Sequence, residues 1–291
     1  MKVLNFGSMN VDHVYQMDHI ILAGETESSG ELADHCGGKG LNQSIALSRA
    51  GVPVMHAGLV GKGGDMLIAA FEREGVDTSL LRRVDVETGH TVIQVDKNGQ
   101  NSIILFGGSN RAVTKEYVEE VLSRFGEGDL ILLQNELNEL ATMIDLAYEK
   151  KMQIVLNPSP FDERLSGVDL SKVSLFLINE IEGEQLTGEK EPRAALAKIR
   201  ELYPNAKVVL TQGSAGAYYM EGETVFFKEA EKVQAVDTTA AGDTFTGYFI
   251  ASMLRGMEPA EGLALATKAA AVTVTRKGAA DSIPRIDELE V

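Results

Sequence analysis

The sequence predicts an α/β fold: a three-layer α/β/α domain on a mostly parallel central sheet, carrying a small antiparallel β-sheet as a lid. Apolar runs at Val3–Phe6, Val54–Leu59, Leu130–Leu133, Ile154–Leu156, Leu175–Ile178 and Val208–Thr211 read as buried strands, with helical patterns such as Thr114–Arg124, Leu137–Glu149 and Ala194–Leu202 between them. Strands that alternate with helices in this way build a mostly parallel sheet covered on each face. The pattern breaks twice, over about 11–35 and 89–107, where polar and apolar residues alternate around turn signals such as Asn98-Gly99. These two inserts predict the lid. Val92, Val95, Ile103 and Leu105 give it an apolar face, too large to leave wet, that covers a ligand or pairs with a second copy.

The whole chain, 1–291, reads as one domain without internal repeat or flexible linker. With 44% hydrophobic and 24% charged residues it can bury a large core, and no run of ~20 apolar residues spans a membrane. Met1–Gly7 reads as a first buried strand and not as a secretory leader. A formal net charge of −16 argues against nucleic acid as a partner, because phosphate-backbone binding needs a basic face. The single cysteine, Cys36, cannot form an internal disulfide, which fits a reducing, cytoplasmic setting. His13, His19, His35, His56 and His90 lack zinc spacing and read as surface or packing residues.

The chemistry concentrates in Asp237-Thr-Thr-Ala-Ala-Gly-Asp-Thr-Phe-Thr-Gly247, at the start of an apolar helix. Ala240, Ala241 and Gly242 leave backbone amides unshielded at a helix N-terminus, where an anion is welcome without a lysine. Asp243 stands beside that pocket, placed to take a proton from a hydroxyl attacking a phosphate. Cys36-Gly-Gly-Lys-Gly-Leu-Asn-Gln-Ser44 opens a second helix with glycines that let a ligand touch the backbone, yet it matches neither the Walker A loop nor the dinucleotide fingerprint. Gly7-Ser-Met-Asn-Val-Asp12 follows the first strand, at a carboxyl end where open α/β sheets bind ligands. On their own residues Asn10 and Asp12 read as an Asx turn at a strand end, and Glu136 as a first-turn helix acid.

These segments resemble the ribokinase branch of the PfkB carbohydrate kinase family, which carries Asp-Thr-x-Ala-Ala-Gly-Asp-Thr-Phe, a Gly-Gly-Lys-Gly helix start and a Gly-Ser-x-Asn-x-Asp segment. The resemblance implies a Rossmann-like domain with a β-lid over the sugar, and dimerisation through that lid. It makes Asp243 the catalytic base, with Ala240, Ala241 and Gly242 forming the anion hole. Asn10, Asp12, Gly38, Lys39, Asn42, Glu136 and Asp243 become sugar ligands, and Gln43 is grouped with them. Asn179-Glu-Ile-Glu182 is similar to the Asn-x-x-Glu motif on the Mg²⁺ and phosphate side, so Asn179 and Glu182 are assigned there. Thr211-Gln-Gly-Ser-Ala-Gly216 is similar to a segment near the ATP phosphates, which assigns Thr211, Gly213 and Gly216 to the nucleotide. Thr267 stands where Asn or His often lies near adenine. Thr273 to Ser282 resembles a loop that holds a monovalent cation, usually K⁺, through Asp237, Ser282 and carbonyls by position from Thr239, Thr273, Arg276 and Gly278. The implied reaction is ATP-dependent phosphorylation of an unphosphorylated pentose, with D-ribose first. Another sugar, a phosphosugar or a nucleoside is the alternative, and a non-catalytic sugar-binding relative is the rival class.

Overall fold

The computed structural model describes residues 1–289, so the last two residues of the expected single domain, 290–291, lie outside them. In chain order the first half runs β1 (Val3–Phe6), β2 (Asn10–Met17), β3 (Glu31–Gly37), α1 (Lys39–Arg49), β4 (Met55–Lys62), α2 (Asp65–Arg73), β5 (Asp77–Glu87), β6 (His90–Asp96), β7 (Asn101–Phe106) and α3 (Lys115–Leu122). The second half runs β8 (Leu130–Gln134), α4 (Leu140–Glu149), β9 (Gln153–Asn157), β10 (Leu175–Asn179), α5 (Glu180–Thr187), α6 (Pro192–Leu202), β11 (Lys207–Thr211), β12 (Gly216–Glu221), β13 (Thr224–Glu229), α7 (Ala241–Leu254) and α8 (Pro259–Val274). Nine strands form the main sheet in the order β13-β12-β11-β10-β9-β8-β1-β4-β5, and β3-β2-β6-β7 form the lid.

Strands β1 and β8 are buried along their whole length, and β9 along its middle, because both faces are covered. Alternate residues of β1, β8 and β9 enter different layers: Val3, Leu130, Leu132 and Val155 pack with Leu41, Phe249 and Leu263 from α1, α7 and α8. Their neighbours Leu4, Ile131, Leu133 and Ile154 pack with Val118, Ile144 and Leu196 from α3, α4 and α6. Three layers follow from a period of two on a strand buried twice.

Several expectations need correction. The main sheet is wider than the apolar runs implied, with β5 at one edge and an antiparallel β12–β13 hairpin at the other. Helix α4 begins at Leu140 and not at Leu137, because Glu139 sits in the left-handed region at φ 62 and Asn138 is engaged with Val113 on both its side-chain atoms. The lid is mixed and not purely antiparallel: β2–β3 and β6–β7 are antiparallel, while β2 and β6 run parallel. Both inserts leave the carboxyl ends of strands that point the same way, β1 and β5, so they enter the lid in one direction. Nor do the four apolar lid residues share a face. Ile103 opposes Ile93 and Leu105 opposes Thr91, which puts them with Val95, whereas Val92 opposes Ile104 on the other side.

Candidate active site

Helix α7 starts abruptly. Ala240 takes the left-handed conformation at φ 61, and no side chain caps the helix, although a left-handed Cβ-bearing residue costs roughly 1–2 kcal/mol. The Ala241 amide bonds the Thr238 carbonyl at 3.3 Å. The next two amides, of Gly242 and Asp243, belong to a first turn that offers no intrahelical acceptor. The turn is open: a Cβ on Gly242 would meet nothing within 4 Å.

Asp243, almost fully buried, is held at both carboxylate oxygens. Asn42 Nδ2 donates to Oδ2 and Gln43 Nε2 donates to Oδ1, each at 2.9 Å. The helices meet this closely because Gly247 has no side chain; a Cβ there would overlap Ala46. Lys39, at the first turn of α1, lies among Asp243, Glu136 and Glu182; burial works against its charge, but the three carboxylates outweigh burial and raise its pKa. It stays an ammonium facing the cleft.

The expected sugar ligands gather where the main sheet meets the lid. Asn10 is the first residue of β2, and its Oδ1 accepts from Asn110 Nδ2 at 2.8 Å. Asp12, further along β2, accepts from Thr91 at 2.6 Å, and burial, outweighing this bond and the nearby His35 and His13, raises its pKa. Glu136 accepts from the Ser8 hydroxyl and from the Lys39 amide. Burial is the largest influence on Glu136 and raises its pKa. Gly38, at φ 94, turns the chain from β3 into α1. Asn42 turns its amide to Asp243 and leaves Oδ1 buried without a partner, an acceptor waiting for a donor. Gln43, grouped with the sugar ligands in the sequence, donates instead to Asp243 and Asn157.

On the other side of Asp243 lies a cleft of about 250 Å³ lined by Lys39, Asn179, Glu182, Gly242 and Asp243. Asn179 and Glu182 first serve each other in a capping box on α5, with bonds of 2.9 and 3.0 Å. Burial raises the Glu182 pKa against the pull of the Asn179 amide and Lys39. The cleft opens into a cavity of about 430 Å³, walled by Gly213, Gly216, Val233, Phe245, Thr267 and Val274. Thr211 and Gly242 line both. Thr267 brings a buried hydroxyl without a partner to this wall. Gly216 answers to the fold as well, since a Cβ there would collide with the Lys228 carbonyl of β13.

The predicted cation loop is joined in part. Asp237 Oδ1 accepts from the Thr239 amide and hydroxyl, and Oδ2 from the Gly278 amide at 3.0 Å. Burial acts to raise the Asp237 pKa, and these bonds overcome it, so the carboxyl sits below its usual value. Ser282 donates to Ala279, the Thr273 hydroxyl bonds Thr244, and the Arg276 side chain turns away to Glu288. Among the described residues no hydrogen bond links these three side chains to Asp237, and the expected contribution of Thr273 and Arg276 is through their carbonyls. Among the described residues no three His, Cys, Asp or Glu side chains converge to hold a metal, and no helix is long and apolar enough to cross a membrane.

The profile of the pfkB family of carbohydrate kinases matches residues 1–286. The chain belongs to this family. A pfkB kinase phosphorylates sugars, and the fold agrees with solved relatives. The chain is similar to the ribokinase of Haemophilus influenzae, at 34% identity over 97% of this chain and 95% of that one. It is similar to the crystal structure of ribokinase from Thermotoga maritima, at 32% identity and a TM-score of 0.89 over 99% and 98% of the two chains. Arabidopsis thaliana ribokinase complexed with ribose and ATP is similar at 27% identity and a TM-score of 0.86, over 99% and 97%.

Sequence reasoning missed Asn110, whose side chain clasps both Met9 backbone atoms and Asn10, and the buried polar residues Asn5, Ser44, His56 and Gln134. A polar residue inside an apolar run, as in Leu4-Asn5-Phe6 and Leu133-Gln134, was the signal available. Gly242 offers a direct test of whether the first-turn amides of α7 receive an anion. Gly242→Ala puts a methyl into free space in a helix, which should raise stability by up to ~1 kcal/mol, while the same methyl intrudes between cleft and cavity. The expected result is a higher Tm with a lower kcat, read by calorimetry and coupled assay on one preparation.

Proposed function

We propose that this kinase transfers the γ-phosphoryl group of ATP to the primary hydroxyl of D-ribose, giving ribose 5-phosphate and ADP. The observation that carries the reading is Asp243, gripped at both oxygens by Asn42 and Gln43 beside the unsatisfied first-turn amides of α7. The similar ribokinases support the sugar. So does the orphaned Asn42 Oδ1, an acceptor matched to a hydroxyl.

Asp243 takes the hydroxyl proton as the new O–P bond forms, and the bond from the γ-phosphorus to the bridging oxygen breaks, releasing ADP. The amides of Gly242 and Asp243 receive the developing charge, assisted by the Lys39 ammonium. The apolar cavity bounded by Phe245 and Val274 suits a nucleotide base, with Thr211, Gly213 and Gly216 toward the phosphates and Thr267 at the base. A hydrated Mg²⁺ would be held through Asn179 and Glu182 and would offset charge on the transferring phosphoryl. Glu182, buried with part of its carboxylate facing the cleft, fits that role.

A K⁺ ion would be held by Asp237 and Ser282 with carbonyls of Thr239, Thr273, Arg276 and Gly278, an oxygen-only set that suits a hard monovalent cation. The loops it would join are already tied by Asp237 to the Gly278 amide. Its effect would be to fix the chain leading into Ala240. The lid would pair with a second copy: on edge strand β7, Ile104 and Phe106 are 62% and 51% exposed, and Ile103 and Leu105 on the opposite face are exposed as well. Sedimentation at micromolar concentration should give a dimer that Ile104→Glu converts to monomer, and a monomeric native protein would remove the lid interface. The chain would work in the cytoplasm on small molecules, with no nucleic-acid or membrane partner.

The deciding experiment is ADP release with Mg²⁺ and ATP over D-ribose, 2-deoxyribose, fructose, fructose phosphates and nucleosides, each in K⁺ or Na⁺. Ribose-dependent turnover that rises in K⁺ is expected. Turnover with a different acceptor keeps the mechanism and moves the substrate, whereas sugar binding without ADP release ends the kinase reading of this chain.

A further inference from the structure

A chain of buried polar side chains runs from Asp243 to the far side of the core, and every hydrogen in it has one direction. Gln43 Nε2 spends its two hydrogens on Asp243 Oδ1 at 2.9 Å and Asn157 Oδ1 at 3.3 Å. Its Oε1 accepts from Gln134 Nε2 at 2.7 Å. The same Gln134 nitrogen donates to Asn5 Oδ1 at 3.0 Å. Asn5 Nδ2 donates to Ser44 Oγ at 2.9 Å and to the Gly40 carbonyl at 2.8 Å. Ser44 lies 2.8 Å from His56 Nδ1, and His56 Nε2 lies 3.1 Å from the Gly7 carbonyl.

Three backbone carbonyls fix these directions: Gly40 orients Asn5, Leu177 orients Asn157 and through it Gln43, and Gly7 orients His56. A carbonyl can only accept, so His56 Nε2 carries the hydrogen. Burial drives the His56 pKa down to about 3 against the opposing pull of Gly7, so Nδ1 is bare and accepts from the Ser44 hydroxyl. Ser44 oxygen is then free to accept from Asn5, whose carbonyl faces Gln134, whose amide faces Gln43 oxygen. The nitrogen of Gln43 is thereby the end left for Asp243.

We infer that His56 is a positioning residue for phosphoryl transfer: through Ser44, Asn5 and Gln134, and alongside the Gly40 carbonyl and Asn157, it helps hold the nitrogen end of the Gln43 amide on Asp243. An amide without such an anchor turns over at little steric cost. Reversed, Gln43 would set its oxygen against the carboxylate and trade a hydrogen bond for repulsion between two acceptors. Asp243 would keep Asn42 alone and lose its aim at the sugar hydroxyl. Burial of His56, Ser44, Asn5, Gln43 and Gln134 at 0–1% exposure keeps water from supplying substitutes. Nothing in the chain moves a proton to the substrate; its work is orientation.

The inference rests on Asp243 acting as the base, and its test separates the two. His56→Gln can accept from Ser44 and donate to Gly7, whereas His56→Leu can do neither. Gln134→Glu presents acceptors only, and so pulls the Gln43 nitrogen away from Asp243. His56→Leu and Gln134→Glu should lower kcat about tenfold to a hundredfold, the size of loss that misplacing a reacting group produces. The KM for sugar and for nucleotide should stay within about twofold, and His56→Gln should recover kcat to within about threefold of the native enzyme. Imidazole ¹⁵N shifts of the unsubstituted protein at neutral pH should give a neutral ring with hydrogen on Nε2.

A folded His56→Leu or Gln134→Glu enzyme with native kcat, equal losses in His56→Gln and His56→Leu, or hydrogen on Nδ1 would each overturn the relay. The NMR result decides even if a substituted chain does not fold. An Asp243→Asn enzyme that keeps native turnover would instead refute the assignment of the base, with the direction of the relay still read from the imidazole.

Discussion

Asp243→Asn should lower kcat about 10²- to 10⁴-fold, the range that a positioned proton acceptor contributes, with the fold retained. The substitution preserves shape and removes the acceptor. It also sets an amide against the two amide donors of Asn42 and Gln43, so one of the three must turn, and KM for the sugar can rise as Asn42 reorients. The kcat loss should persist at saturating sugar and nucleotide in a coupled assay. A tenfold or smaller loss would mean that the hydroxyl needs no base from this residue.

The second large effect lies away from the cleft. Glu74 closes α2 and binds Arg49 in a two-pronged pair, Nη2 to Oε1 at 2.8 Å and Nε to Oε2 at 3.0 Å, with Arg285 reaching Oε2 at 2.9 Å. The Glu74 side chain is only 4% exposed. Arg49 also donates to the carbonyls of Ala280 and Ile283, so the pair fastens the segment that carries Ser282. Glu74→Ala strands Arg49 without its counter-ion and should cost about 3–5 kcal/mol, read as a fall in the urea midpoint.

The same pair predicts a pH dependence. The Arg49 hydrogen bonds, exceeding the opposing effect of burial, hold the Glu74 pKa below its usual value. Its stabilisation is therefore complete above the unfolded carboxyl pKa of about 4.3 and is lost as pH falls through the lower folded value. Between native and Glu74→Ala proteins, the gap in stability should narrow only below about pH 4.

The central strands themselves were legible because fully buried runs have few alternatives: Leu130–Leu133 and Leu175–Ile178 can face only an interior. The β12–β13 hairpin was hidden because Val225, Phe226 and Phe227 stay partly exposed at the sheet edge, so their apolar run lacks the punctuation of a core strand. The parallel pairing of β2 and β6 joins residues some 80 positions apart and follows from how two strands leave the main sheet, which no local pattern encodes. At the site, Asp243 could be picked out because small residues surround it in the chain, and Lys39 and Asn42 because their glycine-rich segment resembles the family signature. Gln43 was read only with the sugar ligands, since the bond that joins it to Asp243 spans 200 positions. His56 read as packing material for the same reason: its meaning lies in Ser44 and Gly7, not in its neighbours along the chain.

Helix α7 begins without a serine, threonine or asparagine to finish its first turn, and with Ala240 in an unfavourable conformation. An anion bound at those amides would do the work of the missing cap, and occupancy and helix integrity would then be one equilibrium read from two ends. A phosphorylated ligand should therefore raise the melting temperature and slow amide exchange at Gly242 and Asp243 together.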